Sequence, residues 1–207
     1  MGEYLAAGDN GTVQHGFILQ GDAFFDIDFP GGKNTNPSGI NGSGLIVGFY
    51  VGNDGFDHGF LRERDEYSAI DVPFPGAFNT FVTGINDSGQ IVGTYTRSDF
   101  RQHGFLTDGS SFTPIDVPFP GVTSTAAHAI NNNGDIVGLY QDGSGPHGFI
   151  FSNGVFTRFD VSFPGVTITE TEPADINDLG EIVGAYSTSQ TRGFLGFLAK
   201  PVEAAAQ

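Results

Sequence analysis

Hydrophobic residues alternate with polar or small ones in short runs along most of the chain, and turn-forming residues separate these runs. In one run, Ile91, Gly93 and Tyr95 alternate with Val92 and Thr94. A period of two residues is typical of β-strands, and no stretch shows the 3.6-residue period of an amphipathic helix. The pattern therefore predicts an all-β protein built from many short strands.

The runs recur in a unit of about 45 residues. His-Gly-Phe, Phe-Pro-Gly, Ile-Asn and Ile-Val-Gly each occur four times, at spacings of 43 to 46 residues. We interpret Arg192-Gly193-Phe194 as a fifth, divergent copy of His-Gly-Phe. Repetition at this period is typical of folds in which each unit is one supersecondary structure that packs on its neighbours.

One unit is long enough for four strands joined by tight turns. Asp87-Ser88-Gly89 and Asp108-Gly109 are turn sequences, because Asp caps its own backbone and Gly accepts positive φ. Pro118 and Pro120 cannot donate to a ladder and end the last strand. The predicted strands are a first ending at 85–86, a second over 90–95, a third through 104–106 and a fourth over 112–117.

Four antiparallel strands every 45 residues or so are typical of a β-propeller blade, whereas a β-solenoid would show shorter, parallel rungs. Second and third strands occur five times, because Met1-Gly2-Glu3-Tyr4 aligns with the second strand at 92–95. We therefore prefer five blades, two of them incomplete, over four blades plus an overlapping hairpin. The expected organisation is a single domain over 1–200 followed by a flexible tail at 201–207.

Charge and composition exclude several classes of function. The chain carries 8 Lys and Arg against 24 Asp and Glu, a net charge of −16, which repels nucleic acids and anionic membranes. It has no cysteine for disulfides or thiolate metal sites. It also lacks an apolar run of about 18 residues for a membrane helix, and a signal peptide. We expect no cofactor, no metal site, no membrane insertion and a monomer, either cytoplasmic or exported with its targeting segment removed.

The pattern Gly-Ile-Asn-Asp-x-Gly-x-Ile-Val-Gly, followed by His-Gly-Phe-Leu, resembles the bacterial HAF-type extracellular repeat family. Units of that family carry His-Ala-Phe where this chain has His58-Gly59-Phe60. The resemblance spans nearly all of residues 1–198. It implies an exported or cell-surface protein and no particular activity.

Several polar and aromatic residues recur with the unit. A His begins each third strand and an Asp lies on each fourth strand, so that the two could form a general base with its orienting carboxylate. Four copies argue instead for a structural pair or a repeated ligand pocket. The recurrent residues are His15, His58, His103 and His147, with Asp26, Asp71, Asp116 and Asp160.

A Tyr also recurs at the end of each second strand. Its ring either packs between units or, with His and a nearby Asn, forms a sugar-binding pocket at one rim of the molecule. The predicted ligand-binding set is Tyr50, Tyr95, Tyr140, His58, His103 and His147. The third-strand phenylalanines are expected to form the core, and they are Phe17, Phe60, Phe105, Phe149 and Phe194.

A single active site would lie where the repeat is broken. His128 occupies a first-strand position that holds Ser38 or Thr83 in other units, and the last first strand carries three acids. If first strands line a central channel, these residues could form a His–carboxylate cluster for acid–base chemistry or metal binding. The alternative is simply a wet, polar channel. The candidate catalytic residues are His128, Glu170, Glu172 and Asp175, and Phe78 and Phe81 are additional aromatic departures.

Three functions remain open from sequence. The first and preferred one is an extracellular or surface binding module that recognises a glycan or protein ligand through repeated rim pockets. The second is a propeller enzyme, a hydrolase or lyase, with one site at the channel mouth. The third is a structural surface-display repeat protein.

Overall fold

A computed structural model describes residues 1–5 and 13–201 of the chain. The all-β prediction is confirmed, because these residues form eighteen strands in five sheets and no helix. All paired strands are antiparallel. Within the described ranges, no helix is long and apolar enough to cross a membrane. Apart from Pro201, the expected tail at 201–207 lies outside the described residues.

The sheets follow one another along the chain, and neighbouring strands in each sheet are consecutive in sequence. Sheet 1 contains β1 (Gly2–Leu5), β2 (Gln14–Gln20) and β3 (Ala23–Ile27). Sheet 2 contains β4 (Lys33–Ile40), β5 (Ile46–Val51), β6 (Asp57–Glu63) and β7 (Glu66–Ile70). Sheet 3 contains β8 (Ala77–Ile85), β9 (Ile91–Arg97), β10 (Gln102–Thr107) and β11 (Phe112–Ile115). Sheet 4 contains β12 (Ser124–Ile130), β13 (Ile136–Asp142), β14 (Gly145–Ser152) and β15 (Val155–Phe159), and sheet 5 contains β16 (Ile168–Ile176), β17 (Ile182–Thr188) and β18 (Leu195–Ala199).

The strands predicted for the unit in sheet 3 are confirmed to within two residues. The Asn-x-x-Gly turn sets the boundary between the first and second strands. Asn86 Oδ1 accepts the amide of Gln90 at 3.0 Å, and Gly89 adopts φ +81°. The alignment of the chain start is also confirmed, since Gly2 pairs with Phe17 as Gly93 pairs with Phe105.

The assignment of Arg192-Gly193-Phe194 to the fifth His-Gly-Phe position is wrong. In sheet 5, Gly184 pairs with Phe197 and Tyr186 with Leu195, so Leu195-Gly196-Phe197 occupies that position. Phe194 precedes β18 and is 56% exposed, whereas Phe197 packs on the neighbouring cluster. Strand pairing decides between the two Gly-Phe dipeptides, because only one register places Phe on the packed face.

The other third-strand phenylalanines are mostly core, as predicted. Phe60, Phe105 and Phe149 are fully buried, and Phe17 is half-buried on the outer side of sheet 1. Four hydrophobic clusters hold the sheets together, and each cluster spans one boundary between consecutive sheets. The first strands β4, β8, β12 and β16 contact each other in that order. Among the described strands, sheets 1 and 5 make no comparable contact.

Candidate functional site

A His–Asp pair lies at the same rim in four sheets, and the two residues are always thirteen positions apart. His58 Nδ1 lies 2.9 Å from Asp71, His103 Nδ1 lies 3.1 Å from Asp116, and His147 Nδ1 lies 3.2 Å from Asp160. The antiparallel pairing of third and fourth strands places both side chains at one end of the hairpin. The pairing predicted from sequence is therefore present in these three units.

The first unit requires a correction. His15 Nδ1 lies 2.7 Å from Asp28, and not beside Asp26. Asp26 lies within β3, opposite Phe17, and accepts a hydrogen bond from the Tyr4 hydroxyl at 2.9 Å. Asp28 follows the end of β3, which is where the equivalent Asp of the other units lies relative to the fourth strand.

The recurrent tyrosines are packing residues in the interior sheets. Tyr50, Tyr95 and Tyr140 are 8%, 0% and 1% exposed. Each ring lies between the neighbouring His and the Phe of a Phe-Pro-Gly motif; for Tyr50, the centroid distances are 5.4 Å to His58 and 3.7 Å to Phe29. Burial raises the pKa of all three phenols. The ring faces are covered, so a ligand at this rim would contact the His and Asp side chains before it contacted Tyr.

Three clefts open at this rim, and each lies between a His–Asp pair and the next sheet. Cleft A, between sheets 2 and 3, measures about 350 Å³ and is lined by Asp54, Phe56, His58, Asp71 and Phe78 among others. Cleft B, between sheets 3 and 4, measures about 210 Å³ and includes Arg97, Arg101, His103, Asp116 and Ser124. Cleft C, between sheets 4 and 5, measures about 310 Å³ and includes Ser144, His147, Arg158, Asp160 and Glu170.

The clefts differ in what the Nε2 atom of the His contacts. In cleft A, His58 Nε2 lies 3.2 Å from Asp54, while in cleft C, His147 Nε2 lies 2.9 Å from the Ser144 hydroxyl. Desolvation lowers the pKa of His58, but the hydrogen bonds and charges of Asp54 and Asp71 outweigh it, so the pKa lies above its usual value. The pKa of Asp54 is lowered, chiefly by the Phe56 amide and then by His58. In cleft C the imidazole also contacts two carboxylates, Asp142 at 3.4 Å and Asp160 at 3.2 Å, but Arg158 lies against it as well, whereas no Arg among the described residues lines cleft A.

Cleft A is also bordered by a row of three phenylalanines, Phe56, Phe78 and Phe100, which we call the aromatic row. The ring of Phe78 lies 5.6 Å from that of Phe56 and 5.9 Å from that of Phe100, in edge-to-face geometry. Phe56 is 44% exposed and Phe100 is 82% exposed. Exposed aromatic rings next to polar groups can bind the apolar and polar sides of one ligand at the same time.

The backbone at Phe100 is strained. Phe100 adopts φ +61° in the loop between β9 and β10, a conformation that is unfavourable for a bulky side chain. Its amide donates to the carbonyl of Arg97 at 2.8 Å, which holds this turn. A glycine would suit the turn better, and an exposed Phe contributes little to folding. Strained backbone conformations cluster at functional sites, and the side chain of Phe100 is open to solvent.

Only two of the four candidate catalytic residues are brought together. His128 and Asp175 line one cavity of about 350 Å³, formed by the first strands and Met1. Glu170 instead lines cleft C. Glu172, on the same strand as Glu170, is half-buried and pairs with Ala185 of β17. Among the described residues, no group of three His, Asp or Glu side chains could hold a metal ion.

His128 has a packing role that the sequence did not reveal. It is the extra residue of a β-bulge between Ala127 and Ala129, and its Nδ1 donates to the carbonyl of Pro173 at 2.7 Å. Ser38 and Thr83 occupy the same bulge and donate to the next sheet in the same way. A bulge re-aims one side chain without disturbing the rest of the strand.

A cavity larger than these clefts, of about 510 Å³, lies elsewhere. It lies between sheets 1 and 2, is lined by Phe25, Arg62 and Arg64 among others, and contains none of the residues predicted from sequence. Sequence analysis also missed Phe56 and Phe100, because both lie in loops that vary between units. A lone Phe within a polar loop, as in Ser98-Asp99-Phe100-Arg101, was the available signal.

Comparisons with known proteins place the chain in no family. No family model matches it, and no curated protein matches it. A solved structure described as YCF48 bound to D1 peptide is similar to it with a TM-score of 0.43 and 10% identity, over 87% of this chain and 63% of the other. This chain therefore spans less than two thirds of that neighbour's length, and the likeness is too distant to support a functional argument.

Proposed function

We propose that this protein is a glycan-binding module, with its principal site at cleft A and the aromatic row. The observation that carries the proposal is the strained, exposed Phe100, which extends a line of rings beside an Asp–His–Asp cluster. Carboxylate and imidazole groups hydrogen-bond sugar hydroxyls, and aromatic faces attract the C–H groups of a sugar ring. A protein ligand is less favoured because the polar part of the site is a small cleft.

Clefts B and C are secondary sites in this proposal. They share the His–Asp pair and the position between two sheets. In place of the aromatic side of cleft A, cleft B has Arg101, and cleft C has Arg158 and Glu170. Ligands of one chemical class would therefore bind all three clefts through hydroxyl groups, with the highest affinity at cleft A. The proposed ligand contacts are His58, His103 and His147; Tyr50, Tyr95 and Tyr140 support them from behind.

We also propose that the five sheets are blades of an open β-propeller, in which the described residues of the first and last blades do not pack on each other, and that the protein acts at or outside the cell surface. The propeller proposal is supported by the sequential boundary clusters and by the cavity that several first strands share. The location rests on the resemblance to HAF-type repeats. The enzyme alternative has less support, since only His128 and Asp175 of the four residues required for it share a cavity.

The test is glycan-array binding of the full chain, followed by titration calorimetry with the best glycan. Phe100→Gly should weaken binding about fivefold, because one stacking ring contributes roughly 1 kcal/mol. The same change should raise the melting temperature, because glycine relieves the positive φ. Phe56→Ala should also weaken binding.

Asn153→Gly is the matched control, because Asn153 has φ +51° in a hairpin turn of sheet 4. It relieves a similar backbone conformation and should leave binding unchanged. An array on which the native chain binds no glycan would show the proposed function to be wrong. Equal affinity of native chain, Phe100→Gly and Phe56→Ala would show that the aromatic row is not the site.

A further inference from the structure

The two outer sheets expose surfaces that are buried in every interior sheet. We call the side of a sheet that packs on the next sheet its forward face and the opposite side its backward face. On the forward faces of sheets 2, 3 and 4, Val47, Val92 and Val137 are fully buried. Val183 has the same place in the Ile-Val-Gly motif of sheet 5 and is 45% exposed.

A second position on the same face agrees. Leu61, Leu106 and Ile150 follow the third-strand Phe and pack into the cluster at the next boundary. Leu198 follows Phe197 in sheet 5 and is 57% exposed. The forward face of sheet 5 therefore has the side chains of an inter-sheet interface and, among the described residues, no sheet packed on it.

The backward face of sheet 1 is the opposite half of such an interface. Tyr67, Phe112 and Phe156 start the fourth strands of sheets 2, 3 and 4 and pack against the cluster at the preceding boundary. Phe24 takes their place in sheet 1, paired with Leu19, and is 67% exposed. Its ring contacts Phe17 edge-on at 5.3 Å, so that two aromatic rings lie on this face.

We infer that the forward face of sheet 5 binds the backward face of sheet 1 of a second copy of this chain. The interface would repeat the packing already used at four boundaries within the molecule, with Val183 and Leu198 against Phe24 and Phe17. Two different faces meet, so the contact is heterologous and leads to head-to-tail rings or chains. This inference is independent of glycan binding, because none of these four residues lines cleft A, B or C.

The partner is a second copy, and not the same molecule, because sheets 1 and 5 of one chain make no comparable contact among the described residues. The net charge of −16 opposes the approach of two copies at low salt. Salt screens this repulsion and leaves apolar packing in place. In place of the monomer expected from sequence, we therefore expect self-association that strengthens as ionic strength rises.

The experiment is sedimentation velocity on the full chain over a range of protein and NaCl concentrations. Native chain should form dimers and larger species as both rise. Leu198→Asp blocks the forward face and Phe24→Asp blocks the backward face, so each variant alone should remain monomeric. An equimolar mixture retains one intact face of each kind and should form a 1:1 dimer that grows no further.

Val155→Asp is the control, because Val155 is 62% exposed in the outer hairpin of sheet 4. This variant should associate like the native chain. Circular dichroism verifies folding, and Leu198→Lys with Phe24→Lys provides a second pair of variants. A native chain that stays monomeric at every concentration and salt would overturn the inference. So would dimers that persist in either blocked variant alone, because those would use a different surface.

Discussion

At the scale of single residues, the recurrent glycine of Ile-Val-Gly is explained by close approach of the backbone. A Cβ on Gly93 would overlap the carbonyl oxygen of Phe81 and lie 2.7 Å from the Phe105 ring. Gly48, Gly138 and Gly184 meet the same two kinds of neighbour. The glycine therefore makes room for the buried third-strand Phe beside the first strand.

We predict that Gly93→Ala destabilises the protein by about 2–3 kcal/mol, because either strand or ring must move in a packed core. Urea unfolding followed by fluorescence or circular dichroism measures this change. Gly143→Ala is the control, since a Cβ there meets nothing within 4 Å, and its effect should stay within about 0.5 kcal/mol. Equal free energies of unfolding for the two variants would contradict the explanation.

The His58 cluster predicts a pH dependence. Asp54 and Asp71 raise the pKa of folded His58 above the unfolded value of about 6.5. The protonated imidazole is therefore favoured in the folded state, and its stabilising contribution is fully present below about pH 6.5. It is lost as the pH rises through the folded pKa.

NMR titration of the His58 ring measures its pKa in the folded state, and urea unfolding between about pH 5.5 and 8.5 measures how the free energy of unfolding changes with pH. Asp54→Asn should lower the His58 pKa and flatten the stability profile, while its amide oxygen can still accept the Phe56 N–H. Asp65→Asn should change neither, because Asp65 pairs with Arg62 and is almost fully exposed. An unchanged His58 titration in Asp54→Asn would contradict the proposed cause.

At the scale of elements, the Asn turns connect sheets 2, 3, 4 and 5 in succession. The side-chain amides of Asn41, Asn86 and Asn131 each donate to the backbone carbonyl of the equivalent Asn in the following sheet at 3.1 Å. The same side chains cap their own turns through Oδ1. One residue type thus sets both the strand boundary and the spacing between sheets.

We predict that Asn131→Ala destabilises the protein about 1–2 kcal/mol more than Asn177→Ala. Both variants lose the turn cap, because Asn177 Oδ1 also accepts the amides two and four residues on. Only Asn131→Ala also removes a hydrogen bond to a following sheet and leaves the carbonyl of Asn177 without that donor. Thermal and urea unfolding of dilute protein compare them, and equal losses would show that the inter-sheet bond contributes nothing.

At the scale of the whole molecule, stability comes from consecutive sheet boundaries. Each cluster contains residues of two neighbouring sheets, so every interior sheet is packed on both faces and each outer sheet on one. Val183 and Phe24 are exposed because each lies on the outer face of an outer sheet, where no neighbouring sheet among the described residues covers it. The negative charges are spread over all five sheets, so their main effect at this scale is repulsion between whole molecules.

Much of the fold was predictable because its signals are local. The period of two residues predicted strands, the Asn-x-x-Gly and Asp-Gly turns predicted their ends, and the motif spacing predicted which strands are equivalent. The His–Asp pairs of three units followed from the same spacing. The errors lie where the repeat is ambiguous: Asp26 and Asp28 both fit the fourth strand, and Phe194 and Phe197 both follow a glycine.

The sequence by itself determined that the chain is all-β, that its strands recur every 45 residues or so, and which residues recur in them. Only the tertiary structure decided that the tyrosines are covered, that Glu170 and Asp175 line different cavities, and that Phe56, Phe78 and Phe100 form a row. Turn chemistry and alternation act between residues close in the chain, and sequence therefore records them directly. Register, bulges and sheet-to-sheet packing depend on residues distant in sequence, and these decided which side chains share a site.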